Sequence, residues 1–325
     1  MSETEFSIID KYFKARALHR DDVVLGIGDD AAITRVPDGF QLVSAVDTLV
    51  ANVHFPEATT AYDIGYKALA VNLSDMAAMG AEPAWATLAL TMPQADEVWL
   101  QSFCDGFFTL AEQHNVQLIG GDTTQGPLTL TIQVMGIVPA GQALTRTGAK
   151  PGDSIFVSGQ LGDAALALRL LQQSSAWDVS ASEQEHLLNR LNRPVPRVSL
   201  GFALRGIASA AIDISDGLAA DLEHILRASK VGATLHLEQI PVSSILQRQS
   251  SISALEAIVL GGGDDYELCF TVPPAKVPQL NQIKQQLNIS VTEIGHIGEP
   301  QGLHLRHQGK EISIEKGGYR HFQPS

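Results

Sequence analysis

The apolar positions of this chain follow two periods. Residues 128–138 set Thr129, Thr131 and Gln133 against Leu130, Ile132 and Val134, an alternation that predicts a strand with one buried face. Apolar runs at 41–47, 85–92 and 116–119 read as further strands. Residues 60–81 and 96–115 read as helices, and the first is built mostly of small and apolar residues, which predicts burial. Residues 3–15 predict a short helix with Phe6, Ile9, Tyr12 and Phe13 on one side. Strands and helices alternate, with a pair of strands in direct succession. That favours an α/β (α+β) sheet domain over a helical bundle.

Pro139, Gly141, Gly148, Pro151 and Gly152 then interrupt the pattern. The pattern restarts with a strand at 154–158 and a helix at 163–173, followed by a polar surface loop at 174–182. Arg193-Pro194-Val195-Pro196-Arg197 introduces another helix, 210–214 reads as a strand running into Asp216, and 218–229 as a helix. Strands near 266–272, 290–297 and 302–307 complete the series. The expected domains are 1–148 and 149–325, without tandem repeats.

Composition narrows the partners. The chain has 325 residues, 45% hydrophobic and 18% charged, as in ordinary globular proteins. A net charge of −14 argues against a nucleic-acid or anionic-membrane surface. It leaves a phosphate substrate open, because a bound metal reverses the local field. Cys104 and Cys269 fit neither a zinc site nor a disulfide framework, and a reduced, cytoplasmic setting is expected. The acidic N-terminus lacks a signal-peptide pattern, and no apolar run reaches the roughly 20 residues that span a bilayer.

The chemistry lies in aspartates set among small residues: Gly26-Ile27-Gly28-Asp29-Asp30, Gly120-Gly121-Asp122, Asp213-Ile214-Ser215-Asp216-Gly217 and Gly261-Gly262-Gly263-Asp264-Asp265. Asp47 ends an apolar strand, where open α/β sheets commonly bind ligands. Asp75 shares a helix face with Ala68, Asn72 and Met79, so either that face meets water or Asp75 has a cation. Gathered carboxylates repel one another, and a shared cation is their simplest explanation; hard oxygen ligands suit Mg²⁺. Each segment also has a plain structural reading. Gly28-Asp29-Asp30 is then a solvated turn, Gly120-Gly121 a tight turn after a strand, Asp216 a helix N-cap, and 261–265 a glycine-rich connection. Arg146 is a candidate phosphate clamp or a surface cation. A P-loop, the protein-kinase motif set and a complete dinucleotide fingerprint are all missing.

These segments run in one order over nearly the whole chain. With Asp47-Thr48-Leu49-Val50, His54-Phe55, Lys67 to Gly80, Arg146 to Asp153, Asp264 to Leu268 and Gly317-Gly318-Tyr319, the set resembles the thiamine-monophosphate kinases. That family lies within the aminoimidazole-ribonucleotide-synthetase-like (PurM-like) ATP-binding enzymes. The resemblance implies an N-terminal mixed-sheet domain that dimerises, a C-terminal α/β domain, and phosphorylation of thiamine monophosphate by ATP with several Mg²⁺ ions. Carried over by position, Asp30, Asp47, Asp75, Asp122, Asp213 and Asp216 become metal ligands, with Asp29 beside them. Gly121, Asp122, Arg146 and Ser215 become nucleotide contacts, and His54, Asp264 and Tyr319 thiamine monophosphate contacts. The acceptor is already ionised, so the expected route is direct in-line transfer without a phosphoenzyme.

Three positions depart from the family pattern. Ala45 and Val46 stand where Ser or Thr is common, which leaves only backbone carbonyls there as ligands. Asp264 stands where Glu is common. The alternatives are an aminoimidazole ribonucleotide synthetase or selenophosphate synthetase type of enzyme, a non-enzymatic ATP-binding maturation protein, or a Ca²⁺-binding module. The N-terminus lacks the reactive Cys of selenophosphate synthetases, and no EF-hand loop is present.

Overall fold

The computed structural model describes residues 5–172, 177–249, 251–298 and 301–312. The chain forms two compact units, Met1–Met76 with Ala81–Gly141, and Ala77–Gly80 with Gln142–Ser325. Gly317, Gly318 and Tyr319 lie outside the described residues.

In the first unit, α1 (Glu5–Ile8) runs on as π-helical turns over Ile9–Lys14, where one regular helix was expected. A short ladder joins β1 (Val23–Leu25) to β2 (Ile33–Thr34). The main sheet holds β3 (Phe40–Val50), β4 (Glu82–Met92), β5 (Gln117–Gln125) and β6 (Thr129–Pro139), in the order β3-β6-β4-β5. Only β4 and β5 are parallel, joined through α3 (Glu97–Gln113). Asp96 caps α3 by accepting the N–H of Trp99. On β4 and β6, Leu88, Leu90, Leu130, Ile132 and Val134 are buried while Ala89 and Gln133 are exposed, so one sheet face is covered and one open. Helix α2 (Ala61–Ala78) meets α3 at two glycines. A Cβ on Gly65 would lie 2.1 Å from the Phe103 carbonyl, and one on Gly106 1.9 Å from that of Tyr62.

The sequence pattern ends a strand at Ile119 and makes Gly120-Gly121 a turn; the structure does not. Leu118 pairs with Ala86 and Gly120 with Thr87, so Ile119 is accommodated as a bulge and β5 continues to Gln125. Glycine permits this passage. Gly121 has φ +155°, and a Cβ there would stand 1.9 Å from the Leu88 carbonyl oxygen.

In the second unit the elements are β7 (Ser154–Ser158), α4 (Asp163–Leu171), α5 (Ala181–Asn192), α6 (Val198–Leu204), β8 (Ala210–Asp213), α7 (Leu218–Ser229), β9 (Gly232–His236), α8 (Ser244–Gln249), α9 (Ile252–Val259), β10 (Leu268–Val272), α10 (Val277–Leu287), β11 (Val291–Gly298), β12 (Gly302–His307) and β13 (Lys310–Ile312). The mixed seven-stranded sheet runs β13-β12-β9-β11-β7-β10-β8, with β12 and β9 its parallel pair. Ile155, Val157, Ile212, Leu166, Leu222 and Ile225 lie in its core. The polar loop expected to reach residue 182 ends earlier. Ser180 and Glu183 form a reciprocal capping box that starts α5 at Ala181. None of the described helices is long and apolar enough to cross a membrane.

Candidate active site

Within the first unit, Asn72 joins a strand to a helix. β3 is an edge strand, and Asn72 Oδ1 accepts the backbone N–H of Asp47 at 3.1 Å. Asn72 Nδ2 donates to the Ala68 carbonyl at 3.0 Å, so this fully buried amide is held from both ends. Asp75, half-buried, follows one turn further along the same helix face. Asp47 and Asp75 thus both neighbour Asn72.

Asp122 behaves differently. Its register row is Thr48, Thr131, Ala89 and Asp122, whereas that of Asp47 is Ile132, Leu88 and Gly121. Adjacent rows project to opposite sides of a sheet. Asp122 accordingly stands on the open face and Asp47 on the covered one.

Asp29 and Asp30 are both exposed, and the Asp30 N–H donates to Asp29 Oδ1 at 2.9 Å. Gly28, at φ +126°, lets this loop pass under Lys14, whose Nζ would be 3.0 Å from a Cβ there. His54 Nδ1 accepts the Val50 N–H at 3.0 Å in the turn after β3.

The second unit interlocks two acidic loops. The Asp264 N–H donates to the Ser215 carbonyl at 2.9 Å and the Tyr266 N–H to that of Ile214 at 2.8 Å. A Cβ on Gly263 would lie 2.3 Å from the Ser215 oxygen, so only glycine allows this approach. Asp264 itself sits at φ 68°, in the left-handed region. The N-cap of α7 is Gly217, without a side-chain capping bond, so Asp216 is not the cap the sequence allows. Asp221 supplies the missing acceptor. Its Oδ2 receives the N–H groups of Ser215 and Asp216 at 3.0 Å and of Gly217 at 3.2 Å. Burial, reinforced by the charge of Asp213, pushes the Asp221 carboxyl up to about 7.

Arg146 is exposed, and its loop is held by Ser229. Ser229 Oγ donates to the Arg146 carbonyl at 3.2 Å and accepts the Gly148 and Ala149 N–H groups at 3.1 and 3.2 Å. His224 on α7 is lowered by burial and by the charges of Arg146 and Arg227, and raised by Asp216.

Among the described residues, no three histidine, cysteine or carboxylate side chains form a group able to hold a metal ion. Within the first unit, Asp47 and Asp122 project to opposite sides of the sheet, so these two expected ligands do not share one cage of side chains. The donors still fit Mg²⁺. It usually takes one or two carboxylates, with water and substrate phosphates completing the shell. Asn72, Asp221 and Ser229 carry no signal in the sequence on their own. Each is polar, lies beside a candidate residue, and reveals its role only through backbone groups that the fold brings to it.

Residues 28–138 match the N-terminal domain, and residues 150–308 the C-terminal domain, of the AIR synthase related proteins. The fold is therefore the two-domain, mixed-sheet fold of that class. The chain is 47% identical over 319 residues to the thiamine-monophosphate kinase of Escherichia coli K12, covering 98% of both chains. The crystal structure of thiamine-monophosphate kinase from Stenotrophomonas maltophilia K279a is 50% identical, with a TM-score of 0.87 over 96% of this chain and 99% of that one. AaThiL complexed with AMPPCP and TMP is 30% identical, with a TM-score of 0.74 over 98% of this chain and 97% of that one. The chain belongs to the thiamine-monophosphate kinase family and is a phosphotransferase enzyme.

Proposed function

We propose that this protein transfers the γ-phosphoryl group of ATP to thiamine monophosphate, yielding ADP and thiamine diphosphate. The observation that carries the reading is the interlocking of the 213–217 and 261–265 loops. It joins Ser215 and Asp216, assigned to nucleotide and metal, to Asp264, assigned to the acceptor, by a main-chain bond of 2.9 Å.

In this reading Arg146 clamps a phosphate, Gly121 offers its backbone to a phosphate, and Ser215 donates to the nucleotide. His54, Asp264 and Tyr319 orient thiamine monophosphate, with Tyr319 offering an aromatic face to the cationic heterocycle. Several Mg²⁺ ions would be held together with the phosphates, by Asp47 and Asp75 beside Asn72, by Asp122 on the other side of the sheet, by Asp30 with Asp29, and by Asp213 and Asp216 in the second unit. Bound Mg²⁺ would supply charge neutralisation between two anions. The chain's own residues then act by position. They hold donor and acceptor phosphates in line, so the acceptor oxygen attacks without a general base or a phosphoenzyme.

On the open face of the first sheet, β3 exposes Leu42 by 53% and Val46 by 60%, which suits pairing with a second copy, and we assign the homodimer to the β3 side of this face, at the opposite edge from Asp122 on β5. A cytoplasmic setting agrees with two cysteines that are both free and buried. The test is purified protein with ATP, Mg²⁺ and thiamine monophosphate, scored for thiamine diphosphate, with unphosphorylated thiamine as control. Product from thiamine monophosphate alone is expected; its absence, or a kinetically competent phosphoenzyme, overturns the proposal.

A further inference from the structure

We infer that Asp221 is a positioning residue for phosphoryl transfer, one that sets the 213–217 loop and, through it, the acceptor loop; the inference rests on the reading of Ser215, Asp216 and Asp264 given above. Three successive N–H groups turned to one side form a nest, a geometry that takes an anion. Here the anion is Asp221 Oδ2, from the first turn of the helix that the loop introduces. The nest is therefore satisfied internally. That leaves the Ser215 and Asp216 side chains, not their amides, as the groups the loop offers a ligand.

The placement is costly and specific. Asp221 is 3% exposed. A carboxyl buried there is compensated by the three main-chain donors it receives. The constraint extends further. The Ser215 carbonyl, on the residue whose N–H binds Asp221, accepts the Asp264 N–H. A Cβ on Gly217 would stand 2.8 Å from the Leu260 carbonyl oxygen, so the loop has little room to adopt another path. One carboxylate thus fixes a nucleotide contact, a metal ligand and an acceptor contact in mutual register.

The experiment is steady-state kinetics on the full-length chain with Asp221→Ala and Asp221→Asn, varying ATP and thiamine monophosphate separately at saturating Mg²⁺. Asp221→Ala is expected to lower kcat/KM for both substrates by about 30-fold or more, since a small misplacement at a reacting site costs about that much. Asp221→Asn keeps the shape and serves where the alanine variant does not fold. It is expected to raise the KM for ATP about fivefold with kcat within about threefold, as charge-assisted bonds become neutral ones. Faster amide exchange at 215–217 is expected in either variant. Parent-like KM for ATP in Asp221→Asn, or parent-like kinetics in a folded Asp221→Ala, overturns the positioning role. Ser215→Ala and Asp216→Asn separate the layers. If both keep parent kinetics, the site reading fails and the positioning role with it. If they are impaired while Asp221→Ala is not, the positioning role alone fails.

Discussion

Asn72 accepts the main-chain N–H of Asp47 at 3.1 Å, so a helix side chain fastens the edge strand at the residue assigned to metal. Asn72→Ala strands the Asp47 N–H and removes the donor to Ala68. The expected loss is about 1–3 kcal/mol of stability, the usual penalty for an unpaired buried polar group. Turnover should fall as well, because Asp47 loses its fixed position. Denaturant unfolding and initial rates check both. An unchanged midpoint together with unchanged kcat/KM would show that the amide is dispensable.

Gly120 and Gly121 are adjacent, yet their requirements differ. A Cβ on Gly121 would overlap the Leu88 carbonyl at 1.9 Å and meet a positive φ, whereas nothing stands within 4 Å of one on Gly120. Gly121→Ala should therefore cost more than about 3 kcal/mol or prevent soluble expression. Gly120→Ala should stay within about 1 kcal/mol of the parent. Thermal melts of the pair decide it, and equal effects would contradict the strand passage described.

Glu267 is 1% exposed and answers two guanidiniums. Arg197 donates to both of its oxygens at 2.6 Å, Arg190 to Oε1 at 3.0 Å, and Ser158 Oγ to Oε2 at 2.6 Å. Glu267→Gln leaves two half-buried cations without their counter-charge, for an expected loss of about 3–5 kcal/mol. A melting temperature within a degree or two of the parent would show that solvent already screens this network.

How much of this was legible in the sequence depends on what each feature rests on. The β7 strand and α7 helix read correctly from apolar spacing, because burial on one face leaves that imprint. The strand β5 did not, since Gly120-Gly121 carries a turn signal and only pairing with β4 shows that the chain runs straight through. The separation of Asp47 from Asp122 was equally hidden. It follows from a register that depends on the bulge at Ile119. The 213–217 and 261–265 loops were singled out by composition, but their mutual lock is a long-range main-chain contact. The capping box of α5 was readable in Ser180 and Glu183 and was masked by the polar run before it.

That capping box gives the last prediction, a dependence on acid. The Ser180 N–H, then Arg248 and the Ser180 hydroxyl, hold the Glu183 carboxyl down to about 2 from its ordinary 4.5. With the folded value depressed, the unfolded chain binds more protons between these two points, so the contribution is complete above about 4.5 and is lost as pH falls through about 2. Glu183→Gln removes the titration, and the difference in stability between parent and variant should shrink steadily across that window. The Arg248 bond of 2.6 Å joins exposed groups, so added salt should reduce the difference at neutral pH while the Ser180 share persists. Urea midpoints for both proteins at several pH values and two salt concentrations test this. A parent–variant difference that is flat from neutrality to acid would mean that Glu183 is not held ionised by the start of α5.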